Sequence, residues 1–95
     1  MHFKDKHRTN KGSIAGRVTT RENKAVADAA VMVVGNSPDH HDIAMLTNET
    51  GEYMIDHLTP GEYKVLVNAE NHPPQTLSTL VVADEITELN FLLED

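Results

Sequence analysis

Apolar and polar residues alternate in short runs along most of the chain, and turn-forming residues interrupt these runs about every eight to twelve positions. The alternation is clearest at Tyr63, Val65 and Val67, and it also relates Ile14 to Val18. Alternation of this kind places every second side chain on one face of a β-strand. The pattern therefore predicts an all-β domain.

Seven strands are predicted, in the segments 13–19, 29–35, 43–47, 53–55, 63–69, 77–82 and 87–93. The run 85–89 is the one helix-like stretch, and it is too short to be stable alone. Seven short, half-apolar strands suit two antiparallel sheets packed on their apolar faces. A small closed barrel is the alternative that the pattern leaves open.

The inward phase of these strands predicts the core. Its expected members are Ile14, Val18, Val31, Val33, Tyr53, Ile55, Leu58, Tyr63, Val65, Val67, Leu80, Val82, Leu89, Phe91 and Leu93.

The tripeptide Gly-Glu-Tyr occurs twice, at 51–53 and at 61–63. Asn48 with Gly51 predicts a type I turn followed by a left-handed residue, because an Asn side chain can cap its own turn and Gly has no Cβ. Pro60 with Gly61 predicts a type II turn, in which Gly supplies the positive φ.

Each tyrosine of the doubled unit follows its glycine by two positions. Tyr53 and Tyr63 are therefore predicted to enter the core, and Glu52 and Glu62 to face water on the opposite phase. A catalytic carboxyl needs burial or a neighbouring charge to shift its pKa. Because the pattern predicts neither, both glutamates are interpreted as solvated.

Length and charge predict two parts, a disordered basic arm over 1–12 and one folded domain over 13–95. Seven of the eight Lys and Arg residues lie within residues 1–24, and the rest of the chain is acidic. The acidic body argues against nucleic acid as a partner. The arm could be a tether to nucleic acid or a membrane, but a solvated tail is the simpler interpretation.

Several chemistries are disfavoured by composition. The chain has no Cys, which excludes disulfides and thiolate catalysis. No apolar run approaches the roughly 20 residues that span a bilayer, and residues 1–12 do not read as a signal peptide. No cofactor is predicted. The weak metal candidates are His40, His41 and Asp42, with His57 and His72 elsewhere in the sequence.

The doubled unit belongs to a longer motif that resembles the carboxypeptidase regulatory-like domain family. The motif runs from Thr47 through Gly51-Glu52-Tyr53 and Leu58-Thr59-Pro60-Gly61-Glu62-Tyr63 to Val67, with Gly16-Arg17-Val18 before it and Leu89 to Leu93 after it. Asn48, Ala25 and Asn71-His72 depart from the usual family residues, all at turn or rim positions. The resemblance implies a seven-stranded, Greek-key, transthyretin-like β-sandwich.

The resemblance also implies a non-catalytic accessory or interaction module that serves a larger peptidase, receptor or surface protein. The expected partner is then protein, from an attached or neighbouring domain, with a monomer or a weak edge-strand dimer. An extracytoplasmic location is favoured. Carbohydrate or peptide binding, or a stalk repeat without an isopeptide crosslink, is the alternative.

Two activities of similar sandwiches do not fit the sequence. The acid that would assist an isopeptide crosslink is replaced by Val67, the first strand has no Lys, and Asn90 lies on the opposite phase to Phe91. The Tyr-Arg-Gly-Ser ending of the related hydroxyisourate hydrolases is also absent, because the chain ends in Phe-Leu-Leu-Glu-Asp. The sequence therefore predicts no enzyme activity.

Overall fold

A computed structural model describes residues 10–34 and 44–94, which form eight strands and contain no helix that could cross a membrane. The strands are β1 (Gly12–Thr20), β2 (Ala30–Val34), β3 (Ala44–Leu46), β4 (Glu52–Leu58), β5 (Gly61–Asn68), β6 (Gln75–Val81), β7 (Ile86–Glu88) and β8 (Phe91–Leu93).

The strands form two four-stranded sheets that pack as a β-sandwich, as predicted. In sheet I, β1 lies at the centre and pairs with β4, β7 and β8. Sheet II has the order β3-β2-β5-β6. Because the strands form two separate sheets, the domain is a sandwich and not the closed barrel that the sequence pattern left open.

The expectation that all pairs are antiparallel is wrong for one side of sheet I. β1 runs parallel to both β7 and β8 and antiparallel only to β4. Antiparallel pairing is imposed by a short hairpin, and β7 is not joined to β1 by one. It arrives from β6 of sheet II, so the connection allows it to run alongside β1.

The seventh predicted strand is divided into β7 and β8 by Leu89 and Asn90. The register does not change across this break, since Ala15 pairs with Glu88 and Val18 pairs with Phe91. The Leu89 amide still donates to the Ala15 carbonyl at 2.9 Å. The short run 85–89 that looked helical therefore contributes a strand.

Fourteen apolar residues are buried in a single core cluster between the sheets. They are Ile14, Val18, Ala29, Val31, Tyr53, Ile55, Leu58, Tyr63, Val65, Val67, Ala69, Val81, Phe91 and Leu93. Val33 and Leu89, also expected in the core, are partly buried and pack against it.

The predicted phase of β6 is wrong. Leu80 and Val82 were expected inside but are 59% and 42% exposed, whereas Val81 is buried. The pairing with β5 explains the error, because residues directly opposite one another share a face. Leu80 lies opposite the exposed Glu62, and so it faces outward too.

Lys11 and Gly12, which the sequence pattern assigned to the arm, contact the folded domain. Gly12 is buried in β1, and a Cβ at this position would meet the Val82 backbone oxygen. The Lys11 carbonyl accepts a hydrogen bond of 2.8 Å from the Asp84 amide. Residues 1–9 of the predicted arm lie outside the described residues.

Candidate functional site

Asn48 organises the turn that leads into β4. Its Oδ1 accepts hydrogen bonds from the amides of Thr50 (3.0 Å) and Glu52 (2.9 Å) and from the Thr50 hydroxyl (2.9 Å). The Gly51 amide donates to the Asn48 carbonyl at 2.9 Å, and Gly51 has a φ of 78°. A Cβ on Gly51 would lie 2.5 Å from the Val18 carbonyl oxygen. The position therefore requires glycine for its conformation and for space.

Glu52 is exposed, and its carboxylate is the acceptor in a small surface network. It accepts hydrogen bonds from the Thr50 hydroxyl (3.0 Å), from the side-chain Nδ2 of Asn48 (3.4 Å) and from the Arg17 guanidinium (3.2 Å). These bonds lower the pKa of Glu52 below its ordinary value, and the bond from Thr50 has the largest effect. A general acid near neutral pH needs a raised pKa, so the network does not prepare Glu52 for that role.

Tyr53 lies beneath this network with its ring in the core. The ring packs at a tilt against Phe91, with 6.3 Å between centroids. Its hydroxyl donates to the Leu89 carbonyl at 2.5 Å, and burial raises the pKa of the phenol. Since Leu89 lies between β7 and β8, Tyr53 joins the β4 edge of sheet I to the opposite side of that sheet.

The second Gly-Glu-Tyr unit differs from the predicted type II turn. Gly61 has a φ of 148°, far from the roughly 80° of that turn, and it is already the first residue of β5. Gly61 pairs with Val81, so β5 has already begun at the position where the turn was expected. Tyr63 is fully buried, and its hydroxyl donates to the Thr59 carbonyl at 2.6 Å.

An open groove of about 670 Å³ lies over sheet I. Its lining includes Arg17, Glu52, Glu88 and Asn90. Arg17 and Glu52 form an ion pair with both side chains about half exposed, and Asn90 accepts from the Arg17 amide and donates to Glu88. These polar groups are thus bonded to one another, and the buried Tyr53 also lines the groove.

The metal candidates are not assembled by the described part of the fold. His40, His41 and Asp42 lie outside the described residues. His57 is exposed on β4 with a φ of 60°, and the His72 Nδ1 lies 2.9 Å from the Glu94 carbonyl oxygen. Within 10–34 and 44–94, no three His, Asp or Glu side chains are placed to share an ion.

The crosslink positions have the environment expected from the sequence. Val67 is fully buried between Val31 and Gln75, so this site offers no acid. The side chain of Asn90 is exposed and holds the Arg17 amide at 2.9 Å. A Cβ on Gly16, next to Arg17, would collide with the Leu89 carbonyl. The Asn90 hydrogen bond and the close approach of Gly16 to Leu89 thus hold β1 against the segment between β7 and β8.

Two structural polar residues escaped the sequence reasoning. The Thr47 hydroxyl is the buried polar group in the described residues: it donates to the Val26 carbonyl (2.6 Å) and accepts from the Ala29 amide (2.9 Å). The other is Asn90, whose Oδ1 replaces a main-chain acceptor for β1. Thr47 opens the motif and gave a partial signal, whereas the bond from Asn90 spans 73 residues and gave none.

Solved structures share this fold in longer chains. The Bacillus anthracis TIE protein matches 90% of this chain with a TM-score of 0.76 and 16% identity. A chain of a type II cohesin–X-dockerin complex from Acetivibrio cellulolyticus matches 86% (TM-score 0.65, 18% identity). Chlorocatechol 1,2-dioxygenase from Pseudomonas putida matches 90% (TM-score 0.66, 14% identity). The matched parts are 17%, 56% and 61% of those chains.

At these identities the likeness is one of fold alone, and this chain spans less than two thirds of each of those structures. No protein with a curated description matches it. The sequence itself matches the model of a family, the carboxypeptidase regulatory-like domain, over residues 13–94. This match takes in every strand from β2 to β8 and all of β1 except Gly12. The chain belongs to the carboxypeptidase regulatory-like domain family.

Proposed function

We propose that this domain is a non-catalytic accessory module that packs against another domain of a larger peptidase, receptor or surface protein. The observation that carries the proposal is an apolar area on the outer face of sheet II. This area, the sheet II patch, consists of Ala30, Met32, Ala44, Leu46 and Leu66.

The strand register makes the sheet II patch continuous. Met32 lies opposite both Ala44 and Leu66, and Ala30 lies opposite Leu46. Val31, between them on β2, is buried in the core, so these five side chains point to the other face. Leu46 is 62% exposed. Continuous apolar surface with a polar rim is typical of a protein interaction site.

The polar chemistry of the domain favours packing over catalysis. Within the described residues, every buried side-chain nitrogen or oxygen has a hydrogen-bond partner. The groove over sheet I holds the ion pair of Arg17 and Glu52, whose members already satisfy one another. A catalytic group would need a free, positioned atom with a matched pKa.

Similar solved structures also support a module that is attached to other domains. The fold occurs within longer chains in the TIE protein and in the cohesin–X-dockerin complex, and the latter is itself an assembly of proteins. A place in a peptidase, receptor or surface protein, outside the cytoplasm, is part of the proposal, and the match to the family supports it.

Carbohydrate binding is the weaker candidate because of where the aromatic rings lie. Sugar rings stack on exposed aromatic side chains, but Tyr53, Tyr63 and Phe91 are all buried. The chain has no Trp. The described surface thus offers no aromatic platform.

Methyl NMR with the flanking region of the native polypeptide added in trans tests the proposal. We expect shifts at the methyl groups of Met32, Leu46 and Leu66. Leu46→Lys should abolish these shifts. Ile86→Lys, which replaces a similarly exposed aliphatic side chain on sheet I, should leave them unchanged. Absence of any shift at the sheet II patch, or a native polypeptide that has no other domain, would contradict the proposal.

A further inference from the structure

Five strands form the four sheet edges, and three of these edges have features that hinder pairing with another chain. β3 has three residues, and β7 and β8 have three each with Asn90 between them. β4 carries Glu52, Asp56 and a left-handed His57, and its register with β1 shifts between Gly12 and Ile14. Short length, charge and irregular backbone are the usual means by which natural edges avoid association.

The fourth edge, β6, has none of these features. It spans seven residues, Gln75–Val81, with the sequence Gln-Thr-Leu-Ser-Thr-Leu-Val. It contains no charged residue, no Pro and no Gly, and it pairs with β5 in one unbroken register. An edge that is long, regular and uncharged can accept another strand.

One hydrogen bond shows which backbone groups of β6 point away from β5. The Leu80 carbonyl accepts a hydrogen bond from the Thr87 hydroxyl of sheet I at 2.9 Å. This carbonyl therefore points away from β5, towards the open edge of sheet II. In an antiparallel pair the residues alternate between bonding to the partner strand and facing away from it. The amide and carbonyl groups of Thr76 and Ser78 therefore point outward as well. Nothing in the described part of the chain bonds to them there.

Leu77 marks the same edge by its exposure. It lies opposite Val65, which is fully buried, so its side chain is on the core side of sheet II. Nevertheless 37% of Leu77 is exposed. A core-facing leucine keeps that much exposed surface here because β6 has no neighbouring strand to cover it.

We propose that β6 pairs antiparallel with β6 of a second copy of this chain, about a two-fold axis at Leu77. In this register Leu77 lies opposite the partner's Leu77 as a pair without main-chain bonds, where side chains approach most closely. Thr76 lies opposite the partner's Ser78, and Ser78 opposite the partner's Thr76. Each of these two pairs exchanges both of its outward main-chain bonds.

The ends of β6 favour this register over a neighbouring one. Leu80 lies opposite the partner's Pro74, which has no amide to donate, and the Leu80 carbonyl is already bonded to Thr87. An axis at Ser78 would instead place Leu80 opposite the partner's Thr76, whose amide would compete with Thr87. It would also leave Leu77 opposite a threonine. The Leu77 axis thus leaves the bond between Thr87 and the Leu80 carbonyl undisturbed and covers the exposed leucine.

A single strand pair buries little area, so the dimer is weak. Interfaces below about 1,200 Å² belong to transient complexes, and we expect a dissociation constant on the order of 1 mM. The inference rests on β6 alone and not on the sheet II patch, so either proposal can fail without the other.

Cysteine crosslinking tests the register, since the chain has no native Cys. Opposed Cα atoms in a pair without main-chain bonds are about 4.5 Å apart, which a disulfide can span. Leu77→Cys should form a covalent dimer under mild oxidation at least tenfold faster than Ser78→Cys. Met54→Cys, at a similarly exposed position on β4 of sheet I, gives the rate of random collision. Faster crosslinking of Ser78→Cys, or equal rates for all three variants, would overturn the proposal.

Sedimentation of the cysteine-free chain gives an independent measurement. The mean mass should rise with concentration towards about 1 mM, and Leu77→Lys should remove this rise by placing two ammonium groups at the axis. Met54→Lys on β4, with the same change of charge at a position of similar exposure (39% against 37% for Leu77), should leave it unchanged. A chain that remains monomeric at that concentration, or a dimer that survives Leu77→Lys and is lost in Met54→Lys, would overturn the proposal.

Discussion

The tripeptides Gly51-Glu52-Tyr53 and Gly61-Glu62-Tyr63 are identical in sequence and differ in what each residue does. Gly51 is left-handed at a φ of 78° within a hydrogen-bonded turn, whereas Gly61 has a φ of 148° and begins a strand. Glu52 belongs to a network with Arg17, while Glu62 is simply exposed beside Leu80. The surroundings, and not the tripeptide, assign the roles.

The two tyrosines make the same point over different distances. The Tyr53 hydroxyl reaches Leu89, 36 residues away, and the Tyr63 hydroxyl reaches Thr59, only four residues back. Tyr53 therefore stabilises the assembly of sheet I, whereas Tyr63 fixes the local entry into β5. Substitutions in the paired units can separate these contributions.

The largest effect is expected at the more deeply buried ring. Tyr63→Ala empties a fully buried aromatic site and should lower the free energy of unfolding by about 3–5 kcal/mol. Glu62→Ala, its exposed neighbour, should change it by less than about 0.5 kcal/mol. Denaturant melts measure both. The opposite order would mean that the inward phase of β5 is misassigned.

Next in size is the loss of the left-handed glycine. Gly51→Ala should cost about 1–3 kcal/mol from its backbone conformation, and the contact of the new Cβ with the Val18 carbonyl adds to this cost. Glu49→Ala, at an exposed position in the same turn, serves as the control. Thermal melts in which Gly51→Ala is as stable as the natural chain would contradict the turn geometry.

The hydroxyl groups of the two tyrosines should contribute less to stability than the Tyr63 ring or the glycine at position 51. Tyr53→Phe and Tyr63→Phe each remove one hydrogen bond and should cost about 1 kcal/mol. Hydrogen exchange should distinguish them, since Tyr53→Phe should speed exchange at the Leu89 amide and Tyr63→Phe should not. Equal exchange rates at Leu89 in the two variants would show that Tyr53 does not hold that segment.

The smallest effect is electrostatic and depends on pH. The pKa of Glu52 is lowered in the folded state, so its charge stabilises the fold above the ordinary value of 4.5 and this contribution is lost as pH falls below it. Glu52→Gln should therefore reduce the fall in melting temperature between pH 6 and pH 3. Glu62→Gln removes an equal charge and is the control. An identical pH profile for both variants would exclude the Glu52 network as the cause.

Much of the fold follows from local pattern. The motif from Thr47 to Val67 predicted two strands, the turn at Asn48 and Gly51, and the burial of Tyr53 and Tyr63. Errors arose where a partner strand decides the outcome. The phase of β6 depends on its register with β5, and both faces of β6 carry apolar residues, so alternation alone chose the wrong one.

The sequence by itself determined the all-β class, the core positions of most strands and the family, because alternation and turn chemistry act within a few residues. Only the tertiary structure decided that β7 and β8 run parallel to β1, that Gly61 is already a strand residue and that Asn90 supplies an acceptor to Arg17. It also placed the sheet II patch on one face and left β6 at an edge. Each of these depends on contacts between residues far apart in the chain, which local pattern does not encode.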